Sequence, residues 1–250
     1  MQLMRMFFVL TSFICATSAS AQVITFETTP SGGTPVDNAL LGLGDGYTIG
    51  PLTLTFGFDL DGDGTAETPA AFEQTGDQAL ADGDHGFHTC EQVNGQWDIP
   101  WPGFEAQLGQ YFLRTDPGVA GNFGKFVIDY AGGTVTAASG EIWDIDSVSG
   151  GTRTERYLVT AWDSGGGVLA TQESPVGDQD DGCANAQLDA RPWTFSFSGL
   201  SAGIARITIE FTGTKINGIG MAFNNFDATG AGPPIAVQPA TWGQVKATYR

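Results

Sequence analysis

The amino-acid sequence predicts an all-β protein, built as a two-sheet antiparallel β-sandwich. Three observations support this fold class. Apolar and polar residues alternate in short runs, and successive side chains of a strand point to opposite faces of a sheet. Clusters of Gly, Asp, Ser and Pro separate those runs, in a chain with 36 Gly but only 10 Lys and Arg residues. Extended helical periodicity is almost absent, which is typical of sandwiches and barrels.

Residues 52–58, 193–198 and 206–211 alternate most clearly. In the last of these runs, Ile207 and Ile209 share one face with Phe211. One-sided strands belong to antiparallel sheets, and two such sheets bury their apolar faces against each other. Weaker runs raise the predicted total to about nine strands. These weaker runs cover residues 23–27, 125–130, 140–146, 156–162, 168–173 and 220–227, and Gly/Asp-rich loops are predicted at 31–50, 81–102 and 177–190.

Three segments are predicted along the chain. Residues 1–21 resemble a secretory signal peptide, with Arg5, an apolar stretch too short to span a bilayer, and small residues at 19–21. A buried first strand or an uncleaved anchor is the alternative. The sandwich domain is predicted over 22–229, and 230–250 form a Gly/Pro linker with a tail that is either a recognition tag or a frayed end. We therefore expect a mature chain that is secreted, extracellular or held at the cell surface.

The formal net charge of −18 limits the partners. Nucleic acid and anionic membrane surfaces would repel such a chain. No apolar run after the first segment reaches the roughly 18 residues of a spanning helix. The charge is compatible with cation binding and with a neutral ligand such as a sugar, although solubility alone also explains it.

Cysteine usage predicts one disulfide. Of the three cysteines, Cys15 lies in the predicted signal segment, which leaves Cys90 and Cys183 as an even pair in an oxidising compartment. The alternative is a metal site that joins both cysteines with His85 and His88. Their spacing is not a standard zinc pattern, so the disulfide is favoured.

The strongest local motif is the acidic loop that follows residues 52–58. Asp59, Asp61 and Asp63 alternate, and Glu67 comes shortly after them. Alternate carboxylates can converge on one hard cation, and Gly64 allows the sharp turn seen in the calcium loop of an EF-hand. The resemblance is partial, because Ala70 stands where that loop has its bidentate Glu. We predict a Ca²⁺ site here, with a solvated Asp/Gly turn as the alternative.

A second resemblance joins the two ends of the domain. The sequences Val-Ile-Thr-Phe-Glu at 23–27 and Phe-Asn-Asn-Phe-Asp at 223–227 resemble the first and last strands of jelly-roll carbohydrate-binding modules. That resemblance implies a jelly-roll fold in which the terminal strands lie side by side. It also implies a structural calcium, for which Glu27 and Asp227 are the candidate ligands.

Two tryptophans in a polar loop could form a sugar platform. Trp97 and Trp101 lie among prolines, and Asp98 and Asn94 are close in sequence. An aromatic face can stack on apolar sugar faces while polar groups bind hydroxyls. The alternative is that both tryptophans plug one end of the sandwich.

The remaining tryptophans are predicted in the core. Trp143, Trp162 and Trp193 all fall in strand-like runs. Alternation places Asp144 and Asp146 on the opposite face from Trp143. These acids are predicted on the wet side of an edge strand, where charge deters aggregation. A second cation site is the alternative.

These observations favour an extracellular binding module that is stabilised by calcium, with carbohydrate as the ligand class. A glycan or a cell-envelope component is the expected partner. Two alternatives stay open: a structural or adhesive surface protein without a small-molecule ligand, and a polysaccharide hydrolase with paired carboxylates. The sequence carries no nucleophile motif and assigns no catalytic residue.

Overall fold

The computed structural model describes residues 23–76, 87, 98–115, 124–147, 153–177, 188–216 and 219–229. These residues form thirteen strands and one four-residue helix. In chain order they are β1 (Val23–Ile24), β2 (Leu40–Leu41), β3 (Tyr47–Ile49), β4 (Leu52–Asp59), β5 (Thr68–Gln74), α1 (Glu105–Leu108), β6 (Tyr111–Thr115), β7 (Lys125–Ala131), β8 (Ala138–Trp143), β9 (Tyr157–Trp162), β10 (Val168–Glu173), β11 (Pro192–Phe197), β12 (Arg206–Phe211) and β13 (Ala222–Asp227).

Every strand pairing is antiparallel, which confirms the predicted fold class. The first sheet runs β10-β9-β12-β7-β4, with β3 beside β4. The second sheet runs β5-β6-β13-β8-β11, with β2 beside β5 and β1 beside β13. As the jelly-roll resemblance implies, the two terminal strands lie side by side, with Val23 opposite Asp227.

Strand β5 joins the two sheets. Its first residues pair with the end of β4, where Pro69 lies opposite Gly57, and its later residues pair with β6. At the opposite edge, the backbone N–H of Ser196 on β11 donates to the Gln172 side chain on β10 over 2.8 Å. The sandwich is therefore a nearly closed, barrel-like structure.

Aromatic side chains fill the space between the sheets. Phe56 of β4 stacks on Phe126 of β7 with ring centroids 6.2 Å apart, and Phe223 of β13 packs against Phe126 from the second sheet at 5.1 Å. Ile207 and Ile209 are fully buried on the same inner face. The alternation read from the sequence therefore marks the core side of these strands correctly.

The structure corrects several details. Strand β8 lies between β13 and β11, so the acids after it do not belong to an edge strand. Trp143 is buried as predicted, but Trp162 is half-buried on the outer face of the first sheet, beyond the core. Four strands were missed: β2 and β3 inside a predicted loop, and β5 and β6 after the acidic loop.

Several predictions fall outside the described residues. These are the signal peptide at 1–21, the Cys90–Cys183 disulfide, the alternative site with His85 and His88, the platform residues Trp97 and Asn94, and the tail at 230–250.

Candidate metal site and adjoining cleft

The acidic loop connects β4 to β5 and is held by its own carboxylates. Asp59, the last residue of β4, is 2% exposed and accepts the N–H groups of Gly62 at 2.7 Å and Gly64 at 2.9 Å. Gly62 and Gly64 both have positive φ, 81° and 92°, which a residue with a Cβ rarely adopts. Glu67 closes the loop by accepting the Leu60 N–H at 2.5 Å. Asp and Gly at these positions thus fold the chain back on itself.

Four predicted metal ligands converge in this loop. One ligand atom from each of Asp59, Asp61, Asp63 and Glu67 lies within 4.8 Å of the others, and no other such group occurs in the part of the chain that the structure describes. Asp61 and Asp63 accept one backbone N–H each, at 3.0 and 2.7 Å. A carboxylate has about four lone-pair sites, so capacity for a cation remains. An all-oxygen set of this kind suits Ca²⁺.

Arg206 ties the acidic loop to the first sheet. Its Nη1 donates to the Gly64 carbonyl. Its Nε and Nη2 donate to the two carboxylate oxygens of Asp129 on β7, at 2.6 and 2.9 Å. This two-pronged geometry fixes the guanidinium plane. The loop therefore has a defined position above the outer face of β7 and β12.

A cleft of ≈ 540 Å³ lies beside the loop on that outer face. The acidic loop forms one wall, and the turn between β9 and β10 forms the other. Asp163 organises that turn by accepting the N–H groups of Gly165 and Gly167 at 2.7 and 2.8 Å. The floor consists of outward-facing residues from three strands: Lys125, Val127, Asp129, Trp162, Arg206 and Thr208.

The second predicted calcium pair has a different arrangement. Glu27 accepts the backbone N–H groups of Gln110 at 2.7 Å and Tyr111 at 3.3 Å. Asp227 is fully buried and accepts the N–H and hydroxyl of Thr229, both at 2.8 Å. The two carboxylates thus bind separate segments, although their strands are neighbours.

Of the predicted sugar platform, the structure describes Trp101 and Asp98. The Arg191 guanidinium lies 4.1 Å from the centre of the Trp101 ring, and the tryptophan packs against the smaller hydrophobic cluster around Trp143. Asp98 is fully buried and accepts the Phe87 N–H at 2.8 Å. These contacts fit the plugging role better than a stacking surface.

Sequence reasoning missed one buried acid–base group and wrongly placed the acids of a second on the wet side of an edge strand. Glu73 on β5 is fully buried and bonded to the Arg114 side chain on β6. Burial, reinforced by nearby Asp98 and opposed by Arg114, raises the pKa of Glu73 to about 9. The only available sequence signal was a single Arg in the apolar run of β6, and that run was not recognised as a strand.

The second group lies past the end of β8. Lys215 donates to Asp146 at 2.8 Å and to Glu155 at 3.0 Å. Burial and the charge of Asp146, opposed by Lys215, raise the pKa of Glu155 to about 8. Burial also raises the pKa of Asp144 well above its ordinary value, with Asp146 and Glu155 adding to it. The acids are close in sequence, but Lys215 lies 69 residues from Asp146 and 60 residues from Glu155, so no local pattern predicts that it joins them.

Comparison with known proteins gives little. No protein-family model matches the chain, and no curated protein matches it. Among solved structures, a cleaved adhesin domain of Lys-gingipain from Porphyromonas gingivalis aligns at 11% identity and a TM-score of 0.28, over 72% of this chain and 84% of that one. A likeness at that level supports no statement about function. Within the described ranges, no helix has the length and apolar character needed to cross a membrane.

Proposed function

We propose that this protein is a secreted binding module in which Ca²⁺ stabilises the acidic loop, with carbohydrate as the ligand class. The observation that carries the calcium part is the convergence of Asp59, Asp61, Asp63 and Glu67 within 4.8 Å. Four carboxylates at this separation repel one another unless a cation offsets their charge. The ion has a structural role. It offsets the repulsion between the carboxylates of a loop that Arg206 already ties to the first sheet.

The carbohydrate part is supported by charge and by shape. A chain with a net charge of −18 disfavours polyanionic partners, whereas a neutral sugar is not repelled. The cleft volume lies within the range of small-ligand sites, about 300–1,000 Å³. The signal-like segment at 1–21 supports the secretion part of the proposal.

Thermal unfolding in excess Ca²⁺ and in EGTA, at matched ionic strength, tests the calcium proposal. A ligand at about 100 times its Kd stabilises the native state by roughly 2.7 kcal/mol. For a domain of this size we expect Tm to rise by on the order of 5–10 °C. Asp63→Asn replaces a charged ligand with a neutral amide oxygen and should reduce that rise. The control Asp45→Asn removes an equal charge from a different exposed loop and should leave the rise unchanged.

Three outcomes would contradict the calcium site. Tm could be the same in Ca²⁺ and EGTA, Asp45→Asn could lower the calcium response as much as Asp63→Asn, or Mg²⁺ could give the same response at equal concentration. The last result would indicate general charge screening, because Mg²⁺ requires a tighter octahedral site than Ca²⁺.

A further inference from the structure

We infer that the cleft on the outer face of the first sheet is the ligand site, and that a neutral sugar unit stacks there on Trp162. This inference deepens the proposed function and rests on it. It moves the binding surface from the loop of Trp97 and Trp101 to the outer sheet face that carries Trp162, a residue that the sequence predicted in the core.

Trp162 has the properties of a stacking platform. It ends β9, is half-buried, and lines the cleft between the acidic loop and the turn that Asp163 organises. Its indole Nε1 donates to the Thr208 hydroxyl at 2.9 Å, which satisfies the polar end of the ring and sets the ring orientation. A ring held in this way loses little conformational entropy when a ligand packs on it.

The charges of the floor favour a neutral ligand. Arg206 is paired with Asp129, and Lys125 with Glu210 at 3.5 Å, so each cation already has an anion beside it. Asp59 and Asp163 add negative charge at the two walls. An anionic ligand would meet these carboxylates, whereas sugar hydroxyls can both donate to Asp129 and accept from Arg206.

The position of the cleft also favours a preformed site. Its floor comes from neighbouring strands in fixed register, with Arg206 opposite both Trp162 and Asp129. Sites built on strands hold their geometry better than sites on loops. Arg206 additionally holds the Gly64 carbonyl of the acidic wall, so both walls and the floor form one connected unit.

The test is a glycan array with the whole mature protein in Ca²⁺, followed by calorimetric titration of the best-bound neutral oligosaccharide. Trp162→Ala should raise Kd by at least about tenfold, because a central aromatic anchor is removed. Trp162→Phe keeps an aromatic face and should retain most of the affinity. Trp101→Ala is the matched control, because it removes a tryptophan from the other predicted platform, and it should bind like the parent chain.

The outcomes separate the site from the function. If the parent chain binds a glycan and Trp162→Ala, still folded by circular dichroism, binds it equally well, the cleft is not the site but the binding function stands. If Trp101→Ala alone loses affinity while it is still folded by circular dichroism, the loop platform is the site. If the parent chain binds no neutral glycan, or only peptides or anionic polymers, the carbohydrate function and this inference both fail.

Discussion

At the scale of single residues, the Arg114–Glu73 pair is a buried polar contact that depends on exact side-chain geometry. The two side chains are 2% and 0% exposed. Arg114 also donates to the Asn38 side chain and, at 2.8 Å, to the Thr115 carbonyl. Because burial keeps the Glu73 carboxyl protonated near neutral pH, the guanidinium is the buried charge, and its hydrogen bonds to Glu73, Asn38 and Thr115 offset the cost of taking it out of water. The pair therefore fixes how β5 lies against β6 more than it adds net stability.

Removing one partner should be much worse than removing both. We expect Arg114→Met to lower the free energy of unfolding by about 1–3 kcal/mol, because the buried Glu73 carboxyl loses its hydrogen-bond partner. The double variant Arg114→Met with Glu73→Leu should recover a large part of that loss. Urea unfolding of the parent, both single variants and the double variant measures the coupling. Equal and additive losses would show that the two groups do not act as a pair.

At the scale of elements, strands were predicted correctly where apolar and polar residues alternate within the strand itself. Strands β4, β11 and β12 alternate over six or more residues, and their boundaries agree closely with the predicted runs. Strands β5 and β6 were missed because both of their faces are largely buried, which removes the alternation, and Pro69 argues against a strand. The structure accommodates Pro69 at the corner where β5 passes from β4 to β6.

The candidate site also has one part that the sequence predicts, the acidic loop, and one part that it does not, the cleft. The acidic loop is contiguous in sequence, so its carboxylates could be identified from their spacing alone. The cleft assembles Trp162, Asp129 and Arg206 from three strands, and its existence depends on which strands are neighbours. Local periodicity does not determine that order, since β12 pairs with β7 across roughly eighty residues of chain.

Gly140 shows how one element can depend on the absence of a side chain. It lies in the middle of β8, where a Cβ would stand 2.9 Å from the Phe195 ring and 3.1 Å from the Phe223 ring. The aromatic rings of β11 and β13 thus pack directly over the strand backbone. We expect Gly140→Ala to lower the free energy of unfolding by about 1–3 kcal/mol, as overpacking does in a dense core.

Gly44→Ala is the matched control for that prediction. A Cβ at Gly44 meets nothing within 4 Å. This change should be neutral or slightly stabilising, within about 0.5 kcal/mol. Chemical denaturation of both variants measures the difference. A Gly140→Ala protein as stable as the Gly44→Ala protein would contradict the close packing of rings on β8.

At the scale of the whole molecule, buried acids and high net charge act on stability in the same direction. Burial raises the pKa of Glu155 to about 8 and also raises the pKa of Glu141 and of Asp144. Between about pH 5 and pH 8, Glu155 has already lost its proton in the unfolded chain but keeps it in the native state, and the raised pKa values of Glu141 and Asp144 act in the same direction, so the native state binds more protons. The free energy of unfolding should therefore fall as pH rises through this window. Mutual repulsion of a chain with a net charge of −18 adds to that fall.

Salt and one substitution separate the two causes. High salt screens repulsion between exposed charges but has little effect on the burial of Glu155, which lies against Asp146 and Lys215. We expect the decline in the free energy of unfolding to persist in 0.5 M NaCl, where the Debye length is only about 4 Å. Glu155→Gln should reduce the slope of the free energy of unfolding against pH by up to about 1.4 kcal/mol per pH unit. Urea unfolding from pH 5 to pH 9 in constant excess Ca²⁺ measures both slopes. If salt abolishes the decline, or if Glu155→Gln leaves the slope unchanged, net charge and not proton retention by the interior sets the pH dependence.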